Sequence, residues 1–275
     1  MNFVTRWKKR LRRLGHVLRL CVRSEGRATA ALLPEIATGQ KFARDFPASD
    51  AGGFREYDGD LWKYFSSHTQ GPGIWKWEHY FDAYERHLSR FRGRGATLVE
   101  IGIYSGGSLP MWRAYLGNDC QIYGVDIQPE CIQYQSEGIH VVIGDQADRA
   151  FWRQFKQSVP HVDIVIDDGG HTYEQQRVTL EELFPHLRPG GVYICEDIHG
   201  MGNPFFAYLM GISATLNEFH WIQEPRAGSQ LCGIAKYIEA IELRPYLAVI
   251  TKHAAIPAQL VSRKQGTQWA PFPLR

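Results

Sequence analysis

Four residues that could bind a metal ion or move a proton follow two runs of apolar residues in this chain. Asp168 and His171 follow the first run, and Glu196 and Asp197 follow the second. Crowded carboxylates repel one another unless a hard cation lies between them, and oxygen ligands of this kind suit Mg²⁺, Mn²⁺ or Ca²⁺. The sequence therefore predicts a divalent metal site with an imidazole beside it.

The elements that must position these residues form a β-α-β unit. Residues 162–166 read as a buried strand, residues 172–187 as a helix, residues 188–191 as a turn and residues 192–195 as a second strand. Two strands joined by one helix form a right-handed crossover and run parallel, so their carboxyl ends meet at one edge of the sheet. Open α/β sheets bind ligands at that edge.

Upstream, a glycine-rich turn suggests a cofactor site. Residues 98–101 read as a strand, residues 102–108 as a glycine-rich turn and the residues after them as a helix. The turn departs from the G-x-G-x-x-G pattern, which weakens an interpretation as an NAD-binding site. The next strand ends at Asp126, where a carboxylate could accept hydrogen bonds from both hydroxyls of a ribose. A solvated carboxylate at a strand end is the alternative.

Two later regions complete the predicted sheet and helices. Residues 140–143 form a third strand that runs into Asp145 and Gln146, where an adenine edge could bind. Residues 205–219 read as a helix, and residues 234–252 read as an antiparallel hairpin. Residues 75–91 read as a helix whose aromatic stripe packs in the core.

Composition limits the class of protein. The chain has 275 residues, 44% of them hydrophobic, and five cysteines without a C-x-x-C pair. It contains no apolar run near the roughly 20 residues that span a bilayer, and no signal-peptide pattern. We expect a globular protein in the reducing cytoplasm.

Charge is concentrated at the beginning of the chain. Residues 1–27 carry nine basic residues and one acidic residue, a net charge of +8, which leaves −6 on the remainder. Apolar residues recur there at helical spacing, so we predict a basic amphipathic helix. It could dock on the protein body, on a second copy in a homo-oligomer, or on an anionic membrane at the inner surface. No nucleic-acid motif accompanies it, so no nucleic-acid partner is expected.

The predicted organisation has four parts. The basic helix covers residues 1–27, and an irregular segment that serves as a lid, a substrate contact or a linker covers residues 28–74. The main domain covers residues 75–253 and the tail residues 254–275.

Several short motifs resemble one known group. They are Val99-Glu100-Ile101-Gly102, Gly106-Gly107-Ser108-Leu109-Pro110-Met111-Trp112, Tyr123-Gly124-Val125-Asp126-Ile127, Gly144-Asp145-Gln146, Asp167-Asp168-Gly169-Gly170-His171 and Glu196-Asp197. Their order and spacing resemble those of class I S-adenosylmethionine-dependent methyltransferases. The resemblance is to the metal-dependent sugar O-methyltransferases of macrolide biosynthesis and to the related cephalosporin-hydroxylase-like family. It implies a Rossmann-like α/β fold with seven mostly parallel strands and a C-terminal antiparallel hairpin.

The resemblance also implies roles for individual residues. The residues implied for S-adenosylmethionine are Glu100, Gly102, Ser108, Asp126, Asp145, Gln146 and Asp167. Within this set, Asp126 would bind ribose and Asp145 with Gln146 would hold adenine. The ligands implied for Mg²⁺ or Mn²⁺ are Asp168, Glu196 and Asp197, and His171 matches the general base. The chain departs from the family at Gly170, where a serine is usual, and in its N-terminal region.

These residues are suited to methylation of a sugar hydroxyl. A divalent cation bound to a hydroxyl lowers the pKa of that group, and an imidazole can then take the proton. His171 could instead merely begin the helix that follows it. The hypothesis is an O-methyltransferase acting on a glycan or a glycosylated small molecule. A catechol-type methyltransferase, a nucleotide-dependent oxidoreductase and a non-catalytic cofactor-binding protein are the alternatives.

Overall fold

A computed structural model describes residues 34–47, 57–199, 203–217, 233–257 and 265–266. The predicted basic helix and most of the predicted tail lie outside the described residues. The chain divides into two compact units, residues 1–56 and residues 57–275. In the first unit, residues 34–45 form helix α1. No helix among the described residues has the length and apolar character needed to cross a bilayer.

The second unit contains a seven-stranded sheet in the order β3-β2-β1-β4-β5-β7-β6. Its strands are β1 (Thr97–Ile101), β2 (Gln121–Asp126), β3 (Ile139–Ile143), β4 (Val162–Asp167), β5 (Leu187–Cys195), β6 (Ile238–Arg244) and β7 (Leu247–Lys252). The first five strands in chain order pair in parallel, whereas β7 pairs antiparallel with both β5 and β6. The mostly parallel Rossmann-like sheet with a C-terminal antiparallel hairpin is confirmed.

Helices cover both faces of this sheet. They are α2 (Asp60–Ser67), α3 (Tyr80–Leu88), α4 (Ser108–Leu116), α5 (Arg149–Ser158), α6 (Tyr173–Leu183) and α7 (Pro204–Thr215). One buried cluster contains Tyr84 and Trp112, and a second contains Trp152 and Phe184. All positions of β1 and β4 are buried, as expected for central strands packed on both faces.

Five predicted boundaries were wrong in detail. The helix predicted to reach residue 219 ends at Thr215, and the hairpin predicted from residue 234 begins at Ile238, after a 3-10 helix over Gly233–Tyr237. The helix predicted over residues 75–91 begins at Tyr80, because residues 74–77 follow Pro72 and Gly73 and are held by long-range contacts. The helix predicted to reach residue 187 ends at Leu183, where Pro185 follows. Strand β5 begins at Leu187 and so includes the predicted turn at residues 188–191.

Residues 57–74 belong to the second compact unit and contain α2. Leu61 of this helix is fully buried in the same cluster as Tyr84 and Trp112. Helix α2 therefore contributes to the core of the second unit. The domain boundary predicted after residue 74 stays a prediction.

Candidate active site

The carboxyl ends of β1, β2, β4 and β5 surround a cavity of about 850 Å³. The turns that follow these strands line it, together with residues 73–77. This volume lies within the range typical of cofactor and substrate sites. This cavity therefore lies at the edge of the sheet that was predicted to hold the site.

Three residues form what we name the outer acid group: Asp168, His171 and Asp197. One ligand atom from each lies within 4.8 Å of the others. His171 Nε2 is 4.0 Å from Asp168 Oδ1 and 3.7 Å from Asp197 Oδ2. The side chains are partly exposed, at 18%, 33% and 23% respectively. This group is accessible to an ion from solvent.

Each carboxylate of the outer acid group has one oxygen fixed by donors. Asp168 Oδ2 accepts a hydrogen bond of 2.7 Å from Lys76 Nζ. Asp197 Oδ1 accepts hydrogen bonds from Trp77 Nε1 at 3.1 Å and from the Tyr80 hydroxyl at 2.8 Å. The remaining oxygens, Asp168 Oδ1 and Asp197 Oδ2, are those that face His171. Two oriented carboxylate oxygens form a donor pair that fits a divalent ion, with an imidazole nitrogen beside them.

Behind this group lies a second cluster, the inner acid group, which we define as Glu100, Glu196 and Lys76. Lys76 Nζ lies 3.2 Å from Glu100 Oε1, and 3.3 and 3.2 Å from the two carboxylate oxygens of Glu196. Glu196 also accepts a hydrogen bond of 2.6 Å from the Tyr84 hydroxyl. The three side chains are 3% exposed or less. The inner acid group is a buried ion cluster that contains its own cation.

The electrostatics of the inner acid group follow from burial and crowding. Burial lowers the pKa of the Lys76 ammonium, but the charges of Asp168, Glu196 and Glu100 outweigh it and hold that pKa well above its usual value. Burial and the charge of Asp168 raise the pKa of Glu196 well above its ordinary range. Burial likewise raises the pKa of Glu100. One ammonium does not neutralise all the carboxylates around it, so the cluster retains protons readily.

The predicted metal ligands are thus divided between the two groups. One oxygen of Asp168 and one oxygen of Asp197 lie within 4.8 Å of each other, whereas both oxygens of Glu196 contact Lys76. The assignment of Glu196 as a ligand stays a prediction. Sequence reasoning missed Lys76, and its neighbours Trp75 and Trp77, which are exposed, gave no local signal that this lysine is buried.

The wall of the cavity that was predicted to bind the cofactor is built on β1 and β2. The Asp126 carboxylate accepts the backbone N–H groups of Tyr104 at 3.1 Å and Gln128 at 2.9 Å, which fixes it at the cavity wall. Ser108, at the start of α4, donates a 2.6 Å hydrogen bond to Glu100. The assigned cofactor roles stay predictions, and this arrangement supports that of Asp126.

Gly102 lines the same wall and has φ +81°. A Cβ at this position would lie 2.0 Å from the backbone oxygen of Asp168. Only glycine permits the turns after β1 and β4 to approach this closely. Gly102 therefore helps to position Asp168 as well as lining the cavity.

Asp145, Gln146 and Asp167 occupy three different environments. Asp145 is exposed at the cavity wall, and its carboxylate accepts the N–H of Ala147. The Gln146 amide is buried; it donates to Asp167 and accepts the N–H of Gly170 at 2.7 Å. Burial raises the pKa of Asp167 to about 7. The Gln146 side chain is therefore committed to holding the loop that carries Asp168 and His171.

His171 has an unusual environment for a candidate base. Its Nδ1 atom is buried and has no hydrogen-bond partner within the described ranges. A side chain at Gly170 would meet the Gln175 amide at 2.1 Å, and Gln175 forms the capping box of α6 with Thr172. The glycine that replaces the usual serine therefore makes room for this cap, which begins the helix directly after His171.

Comparison with known proteins identifies the domain. A family model described as a methyltransferase domain matches residues 99–198. An 8-demethyl-8-alpha-L-rhamnosyl tetracenomycin-C 2'-O-methyltransferase of Streptomyces olivaceus is 33% identical over 201 residues, which cover 67% of this chain and 53% of that protein. The mycinamicin VI 2''-O-methyltransferase of Micromonospora griseorubida is 37% identical over 42% of this chain and 30% of its own length.

Solved structures give the same result. The MycE methyltransferase of the mycinamycin pathway, in complex with Mg and SAH, superposes with a TM-score of 0.58 at 26% identity over 73% of this chain and 56% of that chain. A further MycE structure, with Mg, SAH and mycinamycin VI, has a TM-score of 0.56 at 26% identity and covers 70% of this chain and 52% of that chain. This chain spans 53% of the length of the tetracenomycin relative and 30% of that of the mycinamicin relative. Its described core has the Rossmann-like fold of these methyltransferase structures, and residues 99–198 match the methyltransferase family model.

Proposed function

We propose that this protein transfers a methyl group from S-adenosylmethionine to a sugar hydroxyl of a glycan or glycosylated natural product, with Mg²⁺ or Mn²⁺. One observation carries the proposal: two oriented carboxylate oxygens and His171 Nε2 converge at the rim of the cavity. The tetracenomycin and mycinamicin relatives, whose names specify sugar O-methylation, support the substrate class.

The metal would be held by Asp168 and Asp197 through their free oxygens. When bound, a divalent ion lowers the pKa of a coordinated hydroxyl. Lys76, Trp77 and Tyr80 fix the other oxygen of each carboxylate, so the free oxygens keep their direction. Glu196, also implied as a ligand, acts in this arrangement as a buried counter-charge to Lys76.

His171 is the proposed general base. Its Nε2 atom faces the gap between the two free oxygens, so it lies beside the position of a hydroxyl bound there. A base needs its nitrogen within hydrogen-bond reach of the proton it removes. The neighbouring His199 is more exposed, and its Nε2 lies 3.8 Å from Asp197 Oδ2. Among the described residues, His199 forms no ion pair with Asp168.

The cofactor would lie along the walls formed by β1, β2 and β3. S-Adenosylmethionine supplies a methyl group on a positively charged sulfur. Asp126 would accept hydrogen bonds from the ribose hydroxyls, because an ionised carboxylate has lone pairs beyond those used by Tyr104 and Gln128. The turn at Asp145 would hold adenine, and Ser108 would face the opposite end of the cofactor. Glu100 is fully buried outside the residues that line the cavity, so it would act through its hydrogen bond with Ser108.

Replacement of His171 tests the role of the base. His171→Asn should keep binding of S-adenosylmethionine and Mn²⁺ but lower turnover about 10²- to 10⁴-fold, because the amide cannot take a proton. Asparagine also tolerates the left-handed backbone at this position, where φ is 56°. Calorimetry with the cofactor, Mn²⁺ titration by electron paramagnetic resonance and a methyl-transfer assay measure the three quantities.

His199→Asn is the matched control, and we expect it to lower turnover less than about tenfold. Wild-type turnover of His171→Asn would exclude the base, and a large loss of Mn²⁺ affinity would make His171 a metal ligand instead. The methyl-transfer assay should include glycosides and planar aromatic diols. Methylation of the diols alone would replace the sugar hypothesis by the catechol-type one.

The basic residues 1–27 extend the proposal to location. The proposed location is cytoplasmic, and the +8 charge of these residues supports a peripheral contact with the anionic inner surface of the membrane. Docking of this segment on the protein itself or on a second copy is the alternative. Sedimentation with anionic vesicles, using the full chain and a chain without residues 1–27, tests this. Equal sedimentation of both chains would exclude the membrane contact, and the mass of each chain in solution would report a homo-oligomer.

A further inference from the structure

Backbone strain in the described part of the chain is concentrated around one cavity. Four non-glycine residues there have positive φ: Tyr104 at 44°, His171 at 56°, Asp197 at 53° and Tyr246 at 60°. Left-handed backbone is unfavourable for residues with a side chain, and it clusters at functional sites where the surrounding structure enforces it. Three of the four line the cavity, and two of those belong to the outer acid group.

Tyr246 is the fourth strained residue, in the turn between β6 and β7. A glycine or asparagine would adopt this backbone at lower cost. The turn is fixed because the carbonyl of Tyr246 accepts the N–H of Ile198 at 2.9 Å and the Tyr80 hydroxyl at 3.2 Å. The residue is nevertheless 42% exposed. Neither the turn nor the core explains why a tyrosine occupies this position.

The ring of Tyr246 contacts two aromatic residues of the cavity wall. Its centroid lies 5.6 Å from that of Trp77 and 5.3 Å from that of His199. Trp77 is 48% exposed, and its Nε1 hydrogen bond to Asp197 fixes the indole beside the outer acid group. We name Trp77 and Tyr246 the aromatic rim. Trp77 lies directly beside the Asp197 carboxylate, and Tyr246 extends the aromatic surface from Trp77.

A sugar ring has an apolar C–H face and hydroxyls at its edge, and both features have counterparts here. We propose that the aromatic rim is the subsite for the pyranose ring of the acceptor: the C–H face stacks on Trp77 and Tyr246, while vicinal hydroxyls reach the position between Asp168, Asp197 and His171. Tyr246 is then a substrate-binding residue whose strained backbone is retained for its ring. This inference rests on the proposed function and specifies where its acceptor binds.

Tyr246→Gly provides a clean test, because it removes the ring and also relieves the backbone strain. The probe is methyl α-L-rhamnopyranoside, a simple glycoside of the sugar named in the tetracenomycin relative, titrated by NMR with S-adenosylhomocysteine and Mg²⁺ present. We expect its affinity to fall about fivefold to tenfold. The thermal midpoint should be unchanged or higher, and Mn²⁺ and S-adenosylhomocysteine affinities should be unchanged.

Two control variants separate the ring from other effects. Tyr246→Phe keeps the ring and should retain glycoside affinity to within about threefold. Phe206→Ala removes a ring of similar exposure on α7, outside the residues that line the cavity, and should have no effect.

Equal glycoside affinity in Tyr246→Gly and wild type would overturn the inference. So would a loss accompanied by a lower thermal midpoint or weaker Mn²⁺ binding, since the role would then be structural. Wild-type binding of a catechol but not of the glycoside would also overturn it. If the glycoside binds through Tyr246 but no methyl transfer occurs with any acceptor, the proposed function fails while the subsite stands.

Discussion

The inner and outer acid groups adjoin one another but solve the problem of crowded carboxylates differently. In the inner group, the carboxylates of Glu100 and Glu196 are buried and share one ammonium, that of Lys76. The outer pair, Asp168 and Asp197, is 18% and 23% exposed, and each carboxylate has a free oxygen beside His171. A buried site cannot exchange its counter-ion readily, whereas a partly exposed site can accept an ion from solvent.

Asp168 connects the two groups because its carboxylate faces both. One oxygen is 2.7 Å from Lys76 Nζ, and the other is 4.0 Å from His171 Nε2. The inner group therefore acts on the outer one by fixing the direction of a shared carboxylate. The ligands of a divalent ion in the outer group would already be in position before the ion binds, which reduces the free-energy cost of ordering them.

The largest expected effect comes from removing the inner cation. Lys76→Met leaves Glu100, Glu196 and Asp168 uncompensated in a buried site, and we expect the free energy of unfolding to fall by about 3 to 5 kcal/mol. Urea denaturation at neutral pH measures this change. Adding Glu196→Gln to Lys76→Met should recover part of the loss, because one buried charge is then removed.

The control for Lys76 is Lys63→Met, which removes an exposed lysine paired with Asp60. It should change the free energy of unfolding by no more than about 0.5 kcal/mol. A loss below about 1 kcal/mol for Lys76→Met would show that Lys76 is not the counter-ion of the inner group.

A smaller effect separates the two groups by metal affinity. Asp197→Asn removes a free oxygen from the outer group, and we expect the Mn²⁺ dissociation constant to rise about hundredfold, which corresponds to about 2.7 kcal/mol. Glu196→Gln should raise it less than about threefold, because both Glu196 oxygens contact Lys76. Electron paramagnetic resonance of free Mn²⁺ measures both constants. A comparable loss in Glu196→Gln would make Glu196 a ligand and require Lys76 to move away.

The smallest effect concerns Asp167, a buried acid whose side-chain partners are the neutral groups of Gln146 and Tyr193. Burial raises its pKa from 3.8 to about 7, so between these values the folded chain holds a proton that the unfolded chain has released. Rising pH therefore favours unfolding across this range. From pH 5.5 to 8.5 the free energy of unfolding of wild type should fall about 2 kcal/mol more than that of Asp167→Asn. Urea titrations at both pH values test this, and parallel pH profiles for the two proteins would refute it.

Local sequence patterns determined much of the fold. Features that depend only on neighbouring residues could be predicted from the sequence. They are the apolar runs of β1 and β4, the glycine-rich turn before α4 and the beginning of α6 at Thr172. The order of two strands joined by one helix was enough to bring Asp168, His171, Glu196 and Asp197 to one edge, because neighbouring parallel strands end at the same edge of a sheet.

Only the tertiary structure decided how those acids are shared. Lys76 lies 92 residues from Asp168 and 120 residues from Glu196 in the sequence, and the aromatic periodicity around it predicted a helix that begins only at Tyr80. Tyr246 likewise contacts Trp77, although the two residues lie near opposite ends of the domain's sequence. Which carboxylate faces a lysine and which faces open space depends on packing between distant segments. Residue type and spacing fixed the edge of the sheet where the chemistry lies, and long-range contacts assigned each side chain its partner there.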